Sequence, residues 1–354
     1  MQLILSLVGL IALAVWLVDV LLQVYEWQAR IHIGRWTDRE SWHDALEKKA
    51  RKWILCTPKI PKSDNQRLVL LDIMKGDYWT STIQSWQLGA LIMGLEKQDV
   101  EKCLKHGIRF EVNNINVDHV FLAYALFSKG LLSEENMQIV DSFLSKYVEK
   151  KMSIPYREVN KKIHFVDTLG LACPYLYARG HCDLVNKMIS DIEKVSLDGV
   201  LPPHAFLLDR MKPLGLFDWS RGLGWYIIAL LFTNEKGERN NQIIRLADYL
   251  LSFEKPCGGY GWMIMDEGAC VESSGTSIIG LLNVSAYKIT GNEAYKATAE
   301  RIEMFLMHST RRDGAVDYAQ GDTKGLGRYS TRFSIMPFVQ GISLLFCYEL
   351  QKIR

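Results

Sequence analysis

The sequence predicts an all-α protein, a ring of six helical hairpins (an α/α toroid) behind one N-terminal transmembrane helix. Three observations lead there. The apolar run Leu3–Val24 is long enough to cross a bilayer. Amphipathic helical patterns then recur from Asp38 to Lys352 with few strand-like alternations. Finally, apolar helices tolerant of glycine and alanine alternate with more charged ones, as the inner and outer layers of a ring would.

Within Leu3–Val24 the only ionisable residue is Asp19. No Lys or Arg precedes the run and Ala12-Leu13-Ala14 lies in its middle, which favours an uncleaved anchor over a signal peptide. The expected organisation is an anchor over residues 1–27, a juxtamembrane linker over 28–37 and a toroid over 38–354. Arg30, Arg35 and Arg39 follow the span, so the positive-inside rule leaves the toroid in the cytoplasm. The lipid bilayer is thus one expected partner. Composition is otherwise ordinary for a globular protein: 354 residues, 48% hydrophobic, 23% charged, formal net charge +2. No basic stripe with interleaved aromatics asks for nucleic acid. The seven cysteines form no C-x-x-C pair and are odd in number, which disfavours a disulfide framework and a zinc cage and agrees with a reducing compartment. Nothing calls for a metal or an organic cofactor.

The inner helices are expected to open near Ser81, Val117, His164, Asp218, Glu272 and Tyr329, with charged helices such as Ser133–Lys151, Gly237–Glu254 and Asn292–Met307 between them. The later openings are separated by 54, 54 and 57 residues (164 to 218, 218 to 272, 272 to 329), consistent with one hairpin plus one loop used repeatedly. Leu197-Asp198-Gly199-Val200, Cys257-Gly258-Gly259-Tyr260 and Arg312-Asp313-Gly314-Ala315 carry the chemistry of small β-hairpins ahead of the next inner helix. A solenoid or open bundle is the structural alternative.

If the ring closes, the openings of the inner helices converge on one rim, and the chemistry collects there. Asp118 and His119 precede one apolar helix, and Asp167 opens another. Either aspartate alone reads most simply as a first-turn carboxylate; together they could face one another across a pocket. Asp218-Trp219-Ser220-Arg221-Gly222-Leu223-Gly224-Trp225 puts two indoles and a guanidinium at the start of an apolar helix, groups that need partners when buried and suit a site that stacks a sugar and grips an anion. His204, held in an extended Pro202-Pro203-His204 loop, reads as a positioned contact. Trp86 and Trp262 read as part wall and part stacking surface, and Ser274 and Thr276 as hydroxyls at a polar helix start that serve a ligand or only a cap.

His204, Trp219-Ser220-Arg221-Gly222-Leu223-Gly224-Trp225, Asp167-Thr168-Leu169 with Cys173-Pro174, and Glu272-Ser273-Ser274-Gly275-Thr276 resemble the unsaturated glucuronyl and rhamnogalacturonyl hydrolases of glycoside hydrolase families 88 and 105. The resemblance covers roughly residues 40 to 350 and implies an (α/α)6 barrel. It implies hydration of the C4=C5 double bond that polysaccharide lyases leave on an oligosaccharide, with Asp167 as general acid and base and Asp118 orienting the sugar. It implies substrate contacts by His204, Trp219, Arg221 and Trp225, and the uronate carboxylate is assigned to Arg221 from its chemistry. The chain departs from the family in its membrane span. It departs also in the basic stretch Tyr156–Lys162, which lacks the family's substrate-binding histidine; His164 is the nearest substitute. The competing reading is a membrane-anchored carbohydrate-binding or processing protein of cell-surface polysaccharide assembly. A sugar epimerase would need histidine pairs that the chain barely supplies.

Overall fold

The computed structural model describes residues 1–156 and 162–354; most of the basic stretch before Asp167, residues 157–161, lies outside them. In chain order the helices are α1 (Gln2–Arg30), α2 (Arg39–Leu55), α3 (Val69–Lys75), α4 (Ser85–Gly94), α5 (Lys97–Cys103), α6 (Val117–Ser128) and α7 (Glu134–Glu149). They continue as α8 (Asp167–Ala178), α9 (Cys182–Glu193), α10 (Ser220–Leu231), α11 (Asn240–Leu251), α12 (Ser273–Thr290), α13 (Glu293–His308) and α14 (Pro337–Gln351). Each of α4, α6, α8, α10, α12 and α14 packs against the next, and α14 packs back on α4, so the inner ring is closed. The alternating helices α2, α5, α7, α9, α11 and α13 form the outer layer, and the six-hairpin toroid expected from the alternation is what the chain forms.

The two layers follow from residue choice. In α10 every residue from Ser220 to Leu230 is buried, whereas α11 buries only Ile243, Leu246, Ala247 and Leu250, one stripe at helical spacing. Side chains start the outer helices: Asp38 accepts from the Ser41 amide at 2.8 Å, and Ser133 and Asn292 cap α7 and α13 in the same way. The inner helices approach through glycine. A Cβ on Gly170 would sit 2.6 Å from both the ring and the carbonyl oxygen of Trp225. The ring closes at a glycine crossing, where a Cβ on Gly94 would collide with the carbonyl of Gly341 and one on Gly341 with that of Ala90.

The expected turns at 197–201 and 310–316 are bridged pairs, Leu197 with Leu201 and Thr310 with Val316, and Tyr260–Gly261 pairs with Val271–Glu272. Asp198 and Gly199 both have positive φ, as the first of these turns requires. One opening was placed too early: α14 begins at Pro337 rather than at Tyr329, because the chain first makes a hairpin of Ala319–Gln320 with Phe333–Ser334 around a polar loop.

The end of α1 also differs from expectation. Residues 28–30 belong to α1, the non-helical link to α2 runs over 31–38, and the end of α1 docks on the ring. Arg30 donates to both oxygens of the fully buried Asp317 at 2.9 Å and to the Phe333 carbonyl at 2.7 Å. Glu26 pairs with Arg332, and Asp19 accepts the amides of Leu68 and Val69 at 2.8 and 2.9 Å.

Candidate active site

At one end of the ring the loops ahead of the inner helices enclose a cavity of about 600 Å³ lined by Asp118, Asp167, Trp86, Trp219, Arg221 and Trp225 among others. A three-stranded sheet sets its acidic corner. Phe165 pairs with Ala205 and Ala205 with Leu214, the Val166 amide donates to the His204 carbonyl at 2.9 Å, and the His204 amide donates to Leu216 at 2.8 Å. Asp167 and His204, far apart in sequence, therefore stand side by side.

Asp167 is the first residue of α8. Its Oδ2 is buried without a hydrogen-bond partner among the described residues and lies 3.6 Å from His204 Nε2, too long for a hydrogen bond. Burial pushes its carboxyl up to about 7; its own amide and Arg221 work against the shift, and Asp118 and Asp322 add to it. His204 is pushed the other way, down to about 4, by burial and by Arg221. Its Nδ1 lies 3.0 Å from the Tyr329 hydroxyl, whose oxygen already accepts the Leu216 amide at 3.2 Å. A phenolic hydrogen directed to Nδ1 would leave Nε2 as the N–H that faces Asp167.

Trp86 and Trp225 form the cavity floor, edge to face at 5.7 Å and both backed by Phe338. Trp219 is 2% exposed: it donates to the Gln320 side chain at 2.9 Å, stacks 4.5 Å from His204 and lies under the Arg221 guanidinium. Arg221 is buried and spends two donors on the carbonyls of Gln320 and Gly321, so it holds the 320–321 loop as well as charging the cavity wall.

Five expected contacts lie off the cavity wall: His204, which stands beside Asp167 without lining the cavity, and four others. His119 closes the capping box of α6 with Asn116. Trp262 packs 5.9 Å from Tyr329, behind the wall. Ser274 and Thr276 are fully buried around the α12 start: Ser274 donates to the Glu272 carboxylate at 2.6 Å, and Thr276 donates to the Glu272 carbonyl and accepts the Tyr260 amide. Glu272 also receives the Ser220 hydroxyl, so these hydroxyls join α12 to α10. His164 is buried in the sheet and is not part of the lining.

The sequence reading missed Asp322, Gln84, Gln87, Lys62 and Lys324, all lining residues. Burial raises the carboxyl of Asp322, opposed by Arg221, Lys324 and the Gln84 amide 3.3 Å away. Gln87 Oε1 is buried without a partner among the described residues. The available signal was slight: Gly321-Asp322-Thr323-Lys324 is a polar loop ahead of the last inner helix, whereas Asp118 and Asp167 lie in the first turns of theirs. Away from the cavity, His43, Glu303 and Cys347 come close enough to hold an ion, but Arg39 and Arg354 already occupy Glu303.

The sequence matches no family model and no curated protein. Solved structures match closely in fold. A family 105 glycoside hydrolase of C. acetobutylicum ATCC 824 superposes with a TM-score of 0.63 at 18% identity, covering 79% of this chain and 97% of its own. The unsaturated glucuronyl hydrolase of Bacillus sp. GL1, responsible for the degradation of glycosaminoglycan, gives 0.64 at 13% identity, covering 88% and 95%. A polysaccharide lyase gives 0.59 at 12% identity over 88% and 98%. The chain therefore has the six-hairpin toroid fold of these enzymes, in agreement with the architecture its helices predict.

Proposed function

We propose that this chain is a membrane-anchored hydrolase of unsaturated uronyl oligosaccharides that hydrates the C4=C5 vinyl ether. The observation that carries the reading is the buried Asp167, holding its proton up to about 7 at the wall of a saccharide-sized cavity. Protonated Asp167 delivers its proton to C4, and the positive charge that develops at C5 is shared with the ring oxygen. The resulting carboxylate takes a proton from water as that water adds to C5. The hemiketal so formed opens and releases the next sugar, consuming one water and regenerating the acid. Asp118 orients the sugar and helps keep Asp167 protonated. Trp86 and Trp225 stack the rings, and Arg221 with Lys62 and Lys324 balances the uronate carboxylate.

The anchor is retained in this reading. Removing residues 1–30 would strip Arg30 from the buried Asp317 and Glu26 from Arg332, contacts that a cleaved signal has no reason to make. In this reading Arg35 and Arg39, which follow the span, support a cytoplasmic toroid.

The test uses the full chain in detergent with a panel of lyase-generated unsaturated disaccharides, following the ultraviolet band of the vinyl ether. Loss of the band, abolished in Asp167→Asn, supports hydration. A folded protein that binds the sugars and leaves the band intact with every panel member would favour the second reading, a binding or processing protein of surface polysaccharide assembly, which the docked anchor also suits.

A further inference from the structure

We infer that α3 is a second membrane contact, which seats the rim of the cavity on the bilayer surface beside α1. The inference rests on α1 as a retained span and is independent of the chemistry proposed for Asp167.

It begins with Asp19. A carboxylate in an apolar span needs a partner, and here its two oxygens take the amides of Leu68 and Val69 at the start of α3. To make that contact Leu68 adopts φ 56°, a left-handed conformation that leucine avoids. Hydrocarbon about 30 Å thick takes about 20 helical residues, so a span that begins at Gln2 leaves it within a turn of Asp19. The contact therefore fixes α3 at the level where hydrocarbon gives way to headgroups. Further along α1, Tyr25 and Trp27 are 68% and 65% exposed, as interfacial aromatics would be.

The faces of α3 agree with that depth. Val69 is buried where α3 packs against α1, while Leu68, Leu71 and Met74 are 58%, 47% and 76% exposed at a three-residue spacing that puts them on one side. They continue the uncovered apolar surface of α1, none of whose residues is buried. Arg67 and Lys75 flank the stripe and are exposed, placed to reach lipid phosphates. Of the nearby acids, Asp72 keeps its charge and is held by hydrogen bonds from Ser63 and Asn65, and Asp77 pairs with Lys62. The contact runs on to the cavity, because Pro61, Trp79, Ser334 and Ile335 line both the cavity and the groove that holds Leu22, Tyr25 and Glu26 of α1. That continuity with a lipid-facing helix, together with the basic flanks, selects a bilayer over a second copy of the chain.

The test is nitroxide labelling of the full chain in phosphatidylcholine and phosphatidylglycerol liposomes, with the exposed Cys56, Cys257 and Cys270 changed to serine. Labels at Met74→Cys, at Val8→Cys in the span and at Met265→Cys on a remote exposed site are compared for relaxation by oxygen, which concentrates in lipid, and by a water-soluble nickel chelate. The expected result is an oxygen-to-nickel ratio at Met74 severalfold above that at Met265 and below that at Val8. A ratio at Met74 equal to that at Met265, with Val8 in lipid, overturns the seat and leaves the span. A Val8 label in water overturns both. Shielding of Met74 from both agents with spin-spin broadening overturns the bilayer in favour of a second copy.

Discussion

His204 Nε2 faces Asp167 Oδ2 at 3.6 Å, and the two groups are displaced in opposite directions, the imidazole down to about 4 and the carboxyl up to about 7. Between those values the contact is a protonated acid against a neutral imidazole, not an ion pair. With Asp167 as the acid, kcat/KM stays level across this window and falls with unit slope above about pH 7. A pH-rate profile checks it; activity that rises through pH 7 would assign Asp167 a different role.

The same carboxyl bears on stability. An unfolded aspartate releases its proton near 3.8 and the native one near 7, so stability is lost as pH rises through that window and the loss is complete above it. The shift corresponds to a cost on the order of 4 kcal/mol. Asp167→Asn should therefore melt higher than the native chain at about pH 8, with the gain shrinking toward about pH 4.5. Urea titrations at the two pH values measure the difference. Deletion of an important structural contact would instead lower stability at both.

Tyr329→Phe removes the hydroxyl that fixes the His204 tautomer. The ring is then able to turn an acceptor Nε2 toward Asp167, which stabilises the protonated acid. The expected outcome is a kcat about tenfold lower with KM little changed, and an upper pH limb moved to higher pH. A purely structural role would leave the limb in place.

Arg30→Ala leaves Asp317 with Arg311 as its remaining side-chain cation. Burial opposes the Asp317 charge, and the two arginines together hold its carboxyl below the ordinary aspartate range. Loss of one should cost about 3 kcal/mol, read as a lower thermal midpoint in detergent. The change should shrink in an Asp317→Asn background to what the Phe333 carbonyl bond contributes.

Gly341→Ala introduces a methyl where the Ala90 carbonyl already sits. Backbone must move on both sides of the crossing, so destabilisation of about 3 kcal/mol or more is expected, seen as a shifted urea midpoint.

Much of the ring was legible because its signals are local. Eleven buried neighbours in α10 and a four-residue stripe in α11 are written in the order of apolar residues, and Asp38, Ser133 and Asn292 announce helix starts. Asp118 and Asp167 were legible as the polar residues that open inner helices. Polar residues whose partners lie elsewhere in the chain were not. A hydroxyl at 274 or 276 reads the same whether it meets a sugar or the Glu272 carboxylate, and only the packing of α12 on α10 decides. Asp322 sits in a loop whose excursion between paired two-residue strands leaves no periodicity to read. The docking of α1 was hidden for the same reason: Arg30 looked like a topogenic charge, and its partner Asp317 lies 287 residues away.

The glycine crossing of α4 and α14 has a consequence in time. Ribosomal synthesis proceeds at about 5–20 residues per second, so α4 leaves the ribosome on the order of ten seconds or more before the helix that must lie across it. During that interval Trp86 and the Gly94 face have neither Phe338 nor Gly341 to cover them. The nascent chain waits as an open arc, and its last helix is the keystone that makes it a ring.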